Sequence, residues 1–258
     1  GGGAGAAAAG PALQLLACVA QEPGSRHAAL IPSIFALCLD TWGPDGTAPL
    51  PGLLQPANVV LLLSVLRFRW RLVTGASAHG VAASNAGSGS AAPSGDAAQL
   101  VGRVMWALCR LLQGDSATVP VGGLRMALEE LGTLDESVRL FSSPHCHLEL
   151  ARVPLAEALL SALLARRHSG LREEIEGGLL AMAEADPATF GEVVLPRAAR
   201  AACPTAHPES AEQLLAEFRA ASPDSLPEAV PRLVNDLLHL MRIQGGGDLP
   251  TQSPAHEA

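Results

Sequence analysis

The stretch "LREEIEGGLLAMAEADPATFGEVVLPRAARAAC" (171–203) carries two apolar stripes at helical spacing with a single Asp-Pro step between them, and no other feature limits the fold as strongly. A helix with one apolar stripe must bury it against another element, and a connection this short leaves an antiparallel neighbour as the partner. The same i, i+3, i+4, i+7 spacing gathers Leu155, Leu159, Leu160, Leu163 and Leu164 on one face, then Leu171, Ile175, Leu179, Leu180 and Met182 on the next. It returns in Val230, Leu233, Val234, Leu237, Leu238 and Met241, with Glu228, Arg232, Asp236 and Arg242 on the opposite side. No convincing strand alternation competes, so the chain reads as all-α.

Prolines mark the helix starts, where a missing N–H costs nothing. Asp186-Pro187 reads as an N-cap and first helical position, Pro56, Pro120, Pro208 and Pro227 read as further openings, and Gly170 parts the 153–168 helix from the next. Pro32 and Pro196 break the pattern, because each follows an apolar run that is already helical. An interior proline kinks a helix at about 3 kcal/mol unless packing compensates, and such a kink recurs in the first helix of HEAT-type repeats. Their separation, 164 residues (196 minus 32), is close to four periods of roughly 40 residues. The fold expected is therefore an α-solenoid of HEAT-type antiparallel helix pairs.

Repeats are expected over residues 11–73 and 96–243. The Ala/Gly/Ser stretch 74–95 has almost nothing to bury and is expected to be a disordered insertion, and the segments 1–10 and 244–258 to be loose tails. The run "VVLLLSVL" (59–66) meets Arg67, Arg69 and Arg71 well short of the ~20 residues a membrane helix needs, so it reads as a buried helix. The start, without Met, a charged region or a leucine-type apolar core, gives no signal peptide and reads as the start of a piece of a longer chain.

Composition excludes whole chemistries. All seventeen basic residues are Arg, so there is no P-loop lysine, no Schiff-base lysine and no kinase strand lysine. A net charge of −8 opposes general nucleic-acid binding. Five scattered cysteines without a C-x-x-C pair read as reduced thiols on apolar helix faces. His145, Cys146 and His147 are adjacent, but neighbouring ligands on one short segment rarely close a tetrahedral zinc site, and the better reading is a polar turn between helices. No G-x-S-x-G elbow occurs, Glu173, Glu174 and Glu176 read as partners of a helix N-terminus, and no catalytic residue, metal or cofactor is assigned. In "RFRWR" (67–71) Arg67 and Arg71 share a helix face, which reads first as a solvated helix end and second as a patch for an acidic partner.

The ordered blocks "VAQEPG", "IPSIFALCLD", "LRFRWRLV", "LREEIEGGLLAMAEAD", "FGEVVLP" and "VPRLVNDLLHLMR" resemble the C-terminal part of a nuclear export receptor of the importin-β (karyopherin) superfamily. The resemblance implies a non-enzymatic solenoid that shuttles between nucleus and cytoplasm and carries protein cargo, with actin bound to profilin as the implied cargo. It implies GTP-loaded Ran as a partner through regions outside this chain, contacts with nuclear pore proteins, and neither nucleic acid nor membrane insertion. Arg67, Arg71 and Arg232 are its candidate contacts to an acidic partner such as actin. Two alternatives stand beside it: a HEAT or armadillo scaffold uncoupled from Ran, and a helical metal enzyme using His145, Cys146 and His147 with a distant carboxylate.

Overall fold

The computed structural model describes residues 14–22, 28–33, 35, 55–74, 95–114, 119–164, 168–202 and 208–245. The expected tail 1–10, most of the 74–95 insertion and most of the 244–258 tail lie outside the described residues. Among the described residues every regular element is helical. In chain order they are α1 (14–21), α2 (Pro56–Thr74), α3 (Gly95–Gln113), α4 (Val121–Val138), α5 (Val153–Leu164) and α6 (Arg172–Ala185). There follow α7, built of Pro187–Thr189, a π-helical turn Phe190–Val194 and Leu195–Ala202, then α8 (Pro208–Arg219) and α9 (Leu226–Gly245).

The helix starts follow the prolines. Pro56 and Pro208 open α2 and α8, Pro120 stands directly before α4, and Pro227 is the second residue of α9. Asp186 is the one residue between α6 and α7, and its carboxylate accepts the Thr189 N–H at 3.1 Å with Pro187 at the first position. At that corner Asp186 takes up the Thr189 and Phe190 N–H groups, as the Asp-Pro step anticipates.

Helix contacts sort into two layers. In one, α2 packs on α4, α4 on α6 and α6 on α9; in the other, α3 packs on α5 and α5 on α7, with α8 seated on α7 and α9. From α2 to α7 the chain alternates between layers, as stacked antiparallel pairs must; α8 then stays beside α7 before α9 crosses back. The result is an all-α solenoid. One apolar core runs through it from Leu16 to Leu237. The eight-residue run 59–66 supplies Val59, Leu62, Leu63, Val65 and Leu66 to that core at zero exposure, as the buried-helix reading requires. In α5 the leucines share the interior with Ala156, Ala158 and Ala162, because this helix is covered from both sides of its own layer and from α6. Each such aliphatic side chain contributes about 1.5–3 kcal/mol by leaving water.

A second proline shares the setting of Pro196. Pro196 lies just after the π turn Phe190–Val194, and Pro154 stands in the same relation to the π turn Leu148–Arg152. The two prolines are 42 residues apart (196 minus 154), a single repeat length. Pro32 sits in the helical turn 31–33, while residues 36–54 lie outside the described residues. The geometry explains the pairing of π turn with proline. The Leu195 N–H bonds the Phe190 carbonyl, five residues back, and Pro196 has no N–H to offer the next carbonyl, that of Gly191. Arg219 of α8 donates to it instead, Nε to O at 3.1 Å, and so pins α8 to α7.

Candidate interaction surface

Arginine links the helices of each layer. Arg67 of α2 reaches Glu130 of α4 (2.7 Å), Arg125 of α4 reaches Glu174 of α6 (2.5 Å) and the Gly170 carbonyl (2.7 Å), and Arg172 of α6 reaches Asn235 of α9 (2.8 Å). In the other layer Arg197 pairs with Glu149, which holds the Glu149 carboxyl below its usual range, and Arg152 approaches Asp186 at 3.5 Å. Glu173 and Glu174 lie in the first turn of α6, as expected, but Glu174 and Glu176 are also tied to Arg125 and Arg172. Glu174 thus ties α4 to α6, while Glu176 pairs within α6.

The end of α2 departs from this order. At Arg69 the backbone leaves helical values (φ −129°, ψ 28°), although "RFRWR" contains neither Gly nor Pro. The break turns Phe68 and Leu72 outward, 42% and 40% exposed, on a helix whose preceding turns are buried. Arg67 is held by Glu130, which also accepts from the Ser64 hydroxyl at 3.0 Å, and its guanidinium lies 4.4 Å from the centre of the Phe68 ring. Arg69 donates to the Glu22 carbonyl, and its buried Nε finds no acceptor among the described residues. Arg71 is exposed and makes no ion pair among them. Opposite, α4 ends at Arg139 in the left-handed region (φ 52°, ψ 54°), where its N–H closes on the Asp135 carbonyl at 2.7 Å. Residues 67–72 and 137–139 together line a groove of about 760 Å³. Its four charged residues are all arginines.

Of the three candidate contact residues, this groove brings together Arg67 and Arg71 and leaves Arg232 apart. Arg232 lines a separate cavity of about 310 Å³ between α8 and α9, among Glu217, Glu228 and Asp236, with Asp236 at 3.9 Å. Sequence reading missed Arg139 altogether. The left-handed residue that closes a helix is ordinarily Gly, and nothing local in "DESVRLF" announces an arginine there.

The His145–His147 segment is a turn between helices, as expected, but it is largely buried rather than polar and open. His145 and Cys146 are buried, and only His147 is exposed, capping the π turn by accepting the Glu149 N–H at Nδ1 (3.3 Å). His145 meets the Trp70 ring edge-on at 6.0 Å, and burial lowers its pKa. Burial pushes the Cys146 thiol up to about 12, as it does Cys109, where Glu157 adds to the effect. A thiol held protonated in this way is a poor metal ligand and a poor nucleophile. Among the described residues no three His, Cys, Asp or Glu side chains converge. Nor is any described helix long and apolar enough to cross a membrane.

A stack of antiparallel helix pairs with arginine-linked layers defines a helical-repeat protein, an architecture of extended surfaces rather than compact motifs. Residues 66–242 match the family described as exportin-6, C-terminal TPR repeats. Exportin-6-A and Exportin-6-B of Xenopus laevis are each 30% identical to the chain over 232 residues, covering 87% of it and 19% of each relative. The chain belongs to the exportin-6 family of nuclear export receptors, and corresponds to its C-terminal repeats. That is a family of transport receptors and not a class of enzymes. No solved structure matches the chain. The family's description says TPR where the sequence suggested HEAT; both names denote stacked antiparallel helix pairs.

Proposed function

We propose that this chain contributes repeats to a Ran-dependent nuclear export receptor that carries actin bound to profilin and shuttles between nucleus and cytoplasm through contacts with nuclear pore proteins. In this reading residues 11–73 and 96–243 are repeats, 74–95 is an insertion between them, and Ran is held by regions outside this chain. The observation that carries it is the match of residues 66–242, with their solenoid architecture, to exportin-6 C-terminal repeats. The physical logic is linkage: a receptor that loads in one compartment and unloads in another must bind cargo and GTP-loaded Ran so that each raises affinity for the other. A solenoid suits that coupling, because a change of curvature in one set of repeats is felt along the whole stack.

Arg67, Arg71 and Arg232 are the proposed contacts to an acidic cargo surface, and Arg71 and Arg232, the more exposed, would weigh more than Arg67. The test is capture of profilin–actin by the full-length receptor containing this chain, with and without GTP-loaded Ran. Capture that rises with Ran supports the reading. Equal capture in both conditions removes Ran coupling and leaves a repeat scaffold.

A further inference from the structure

The groove at the ends of α2 and α4 combines three properties found together nowhere else among the described residues. It is lined by four arginines and no carboxylate, on a chain of net charge −8. It carries two exposed apolar side chains, Phe68 and Leu72, four positions apart. Its backbone is irregular on both sides, at Arg69 and at Arg139. Two of the arginines are already engaged, Arg67 by Glu130 and Arg69 by the Glu22 carbonyl, so these two hold the groove's wall. Arg71 and Arg139 are exposed, and neither makes a side-chain hydrogen bond or ion pair among the described residues.

We propose that this groove docks a short acidic segment of a partner protein, its carboxylates on Arg71 and Arg139 and one apolar side chain between Phe68 and Leu72. The inference rests on the reading of the chain as protein-binding repeats, and neither on Ran nor on actin. Charge complementarity selects the occupant: an isolated positive groove on an acidic molecule draws in a segment whose negative charge is local. A nucleic acid fits less well, since a long polyanion needs many phosphate contacts and would run from two free cations onto acidic surface. One face of the Phe68 ring is also covered by the Arg67 guanidinium at 4.4 Å, which leaves little platform for stacked bases.

The test uses the 258-residue chain and a fluorescently labelled peptide of alternating Asp and Leu, with its Asn-and-Leu counterpart and a single-stranded oligouridine as competitors. The acidic peptide should bind about tenfold more tightly than the Asn peptide, and less tightly as salt rises. Arg71→Ala and Arg139→Gly should each weaken it about threefold, and Arg200→Ala, at an exposed position on α7, should leave it unchanged. Arg139→Gly also relieves a positive φ, so its melting temperature should hold or rise, which separates lost binding from lost structure. Equal binding of both peptides, equal loss with Arg200→Ala, or oligouridine displacing the peptide at lower concentration would each overturn the proposal. Profilin–actin capture that ignores Ran would sink the export reading and leave this result intact.

Discussion

Two places where the helical path breaks, the Asp186 corner and the Arg69 kink, are built in opposite ways. At the corner the chain turns its groups inward: Asp186 caps Thr189, its carbonyl accepts the Phe190 N–H at 2.9 Å, and Arg152 approaches its carboxylate at 3.5 Å, its buried Nε finding no acceptor among the described residues. Phe190 then plunges into the core against Phe218, ring centres 5.8 Å apart. At the kink an aromatic and an aliphatic side chain, Phe68 and Leu72, turn to solvent beside the exposed Arg71 and Arg139 instead. A break that buries its apolar side chains serves the fold. One that leaves cations and apolar surface over offers a surface to solvent that a partner could cover.

The contrast is sharpest in core residues. Phe190→Ala should cost about 3–5 kcal/mol, and Phe68→Ala should stay within about 0.5 kcal/mol, both read from urea midpoints. Similar losses at the two sites would erase the distinction. Next in size is Glu130→Ala, which strands Arg67 and Ser64 and should cost about 1–3 kcal/mol; a neutral result would make the wall of the groove adjustable rather than fixed.

The corner itself should respond to Asp186→Ala with a loss of about 0.5–2 kcal/mol. Its carboxyl is held below the ordinary carboxylate value, first by the hydrogen bond from Thr189. A group depressed in the folded state stabilises fully above its unfolded pKa, near 4, and loses that contribution as pH falls through the folded value. The difference between wild type and Asp186→Ala should accordingly shrink in acid; a constant gap from neutral pH downward would refute the cap. Smallest is Arg139→Gly, where escape from the left-handed strain of about 1–2 kcal/mol outweighs glycine's entropy, for a net gain of about 0.5 kcal/mol. A loss there would mean that the arginine side chain holds α4 in place.

The same contrast separates what was legible in the sequence from what was not. Asp186-Pro187 and the leucine stripes are local signals, each carried by residues within one or two turns, and they place α5, α6 and α7 correctly. The kink is not local. Arg67 meets Glu130, 63 positions away, and no pattern in "RFRWR" declares a partner at that distance. Arg139 escaped for a related reason, since the tertiary packing of α4 imposes a conformation its residue type disfavours. The π turns hid because 3.6-residue counting tolerates one extra residue, and the prolines that mark them looked like simple kinks.

Those π turns make the position of a residue in α5 and α7 a matter of counting. Each turn holds one residue more than the α-helix around it, which advances every later side chain by about 100°. Removing a single residue from Leu148–Arg152 would wind α5 back by that angle and swing Leu155, Leu159 and Leu163 away from the seam they now fill, with composition almost unchanged. For these two helices insertions and deletions, more than substitutions, are the changes the fold can least absorb.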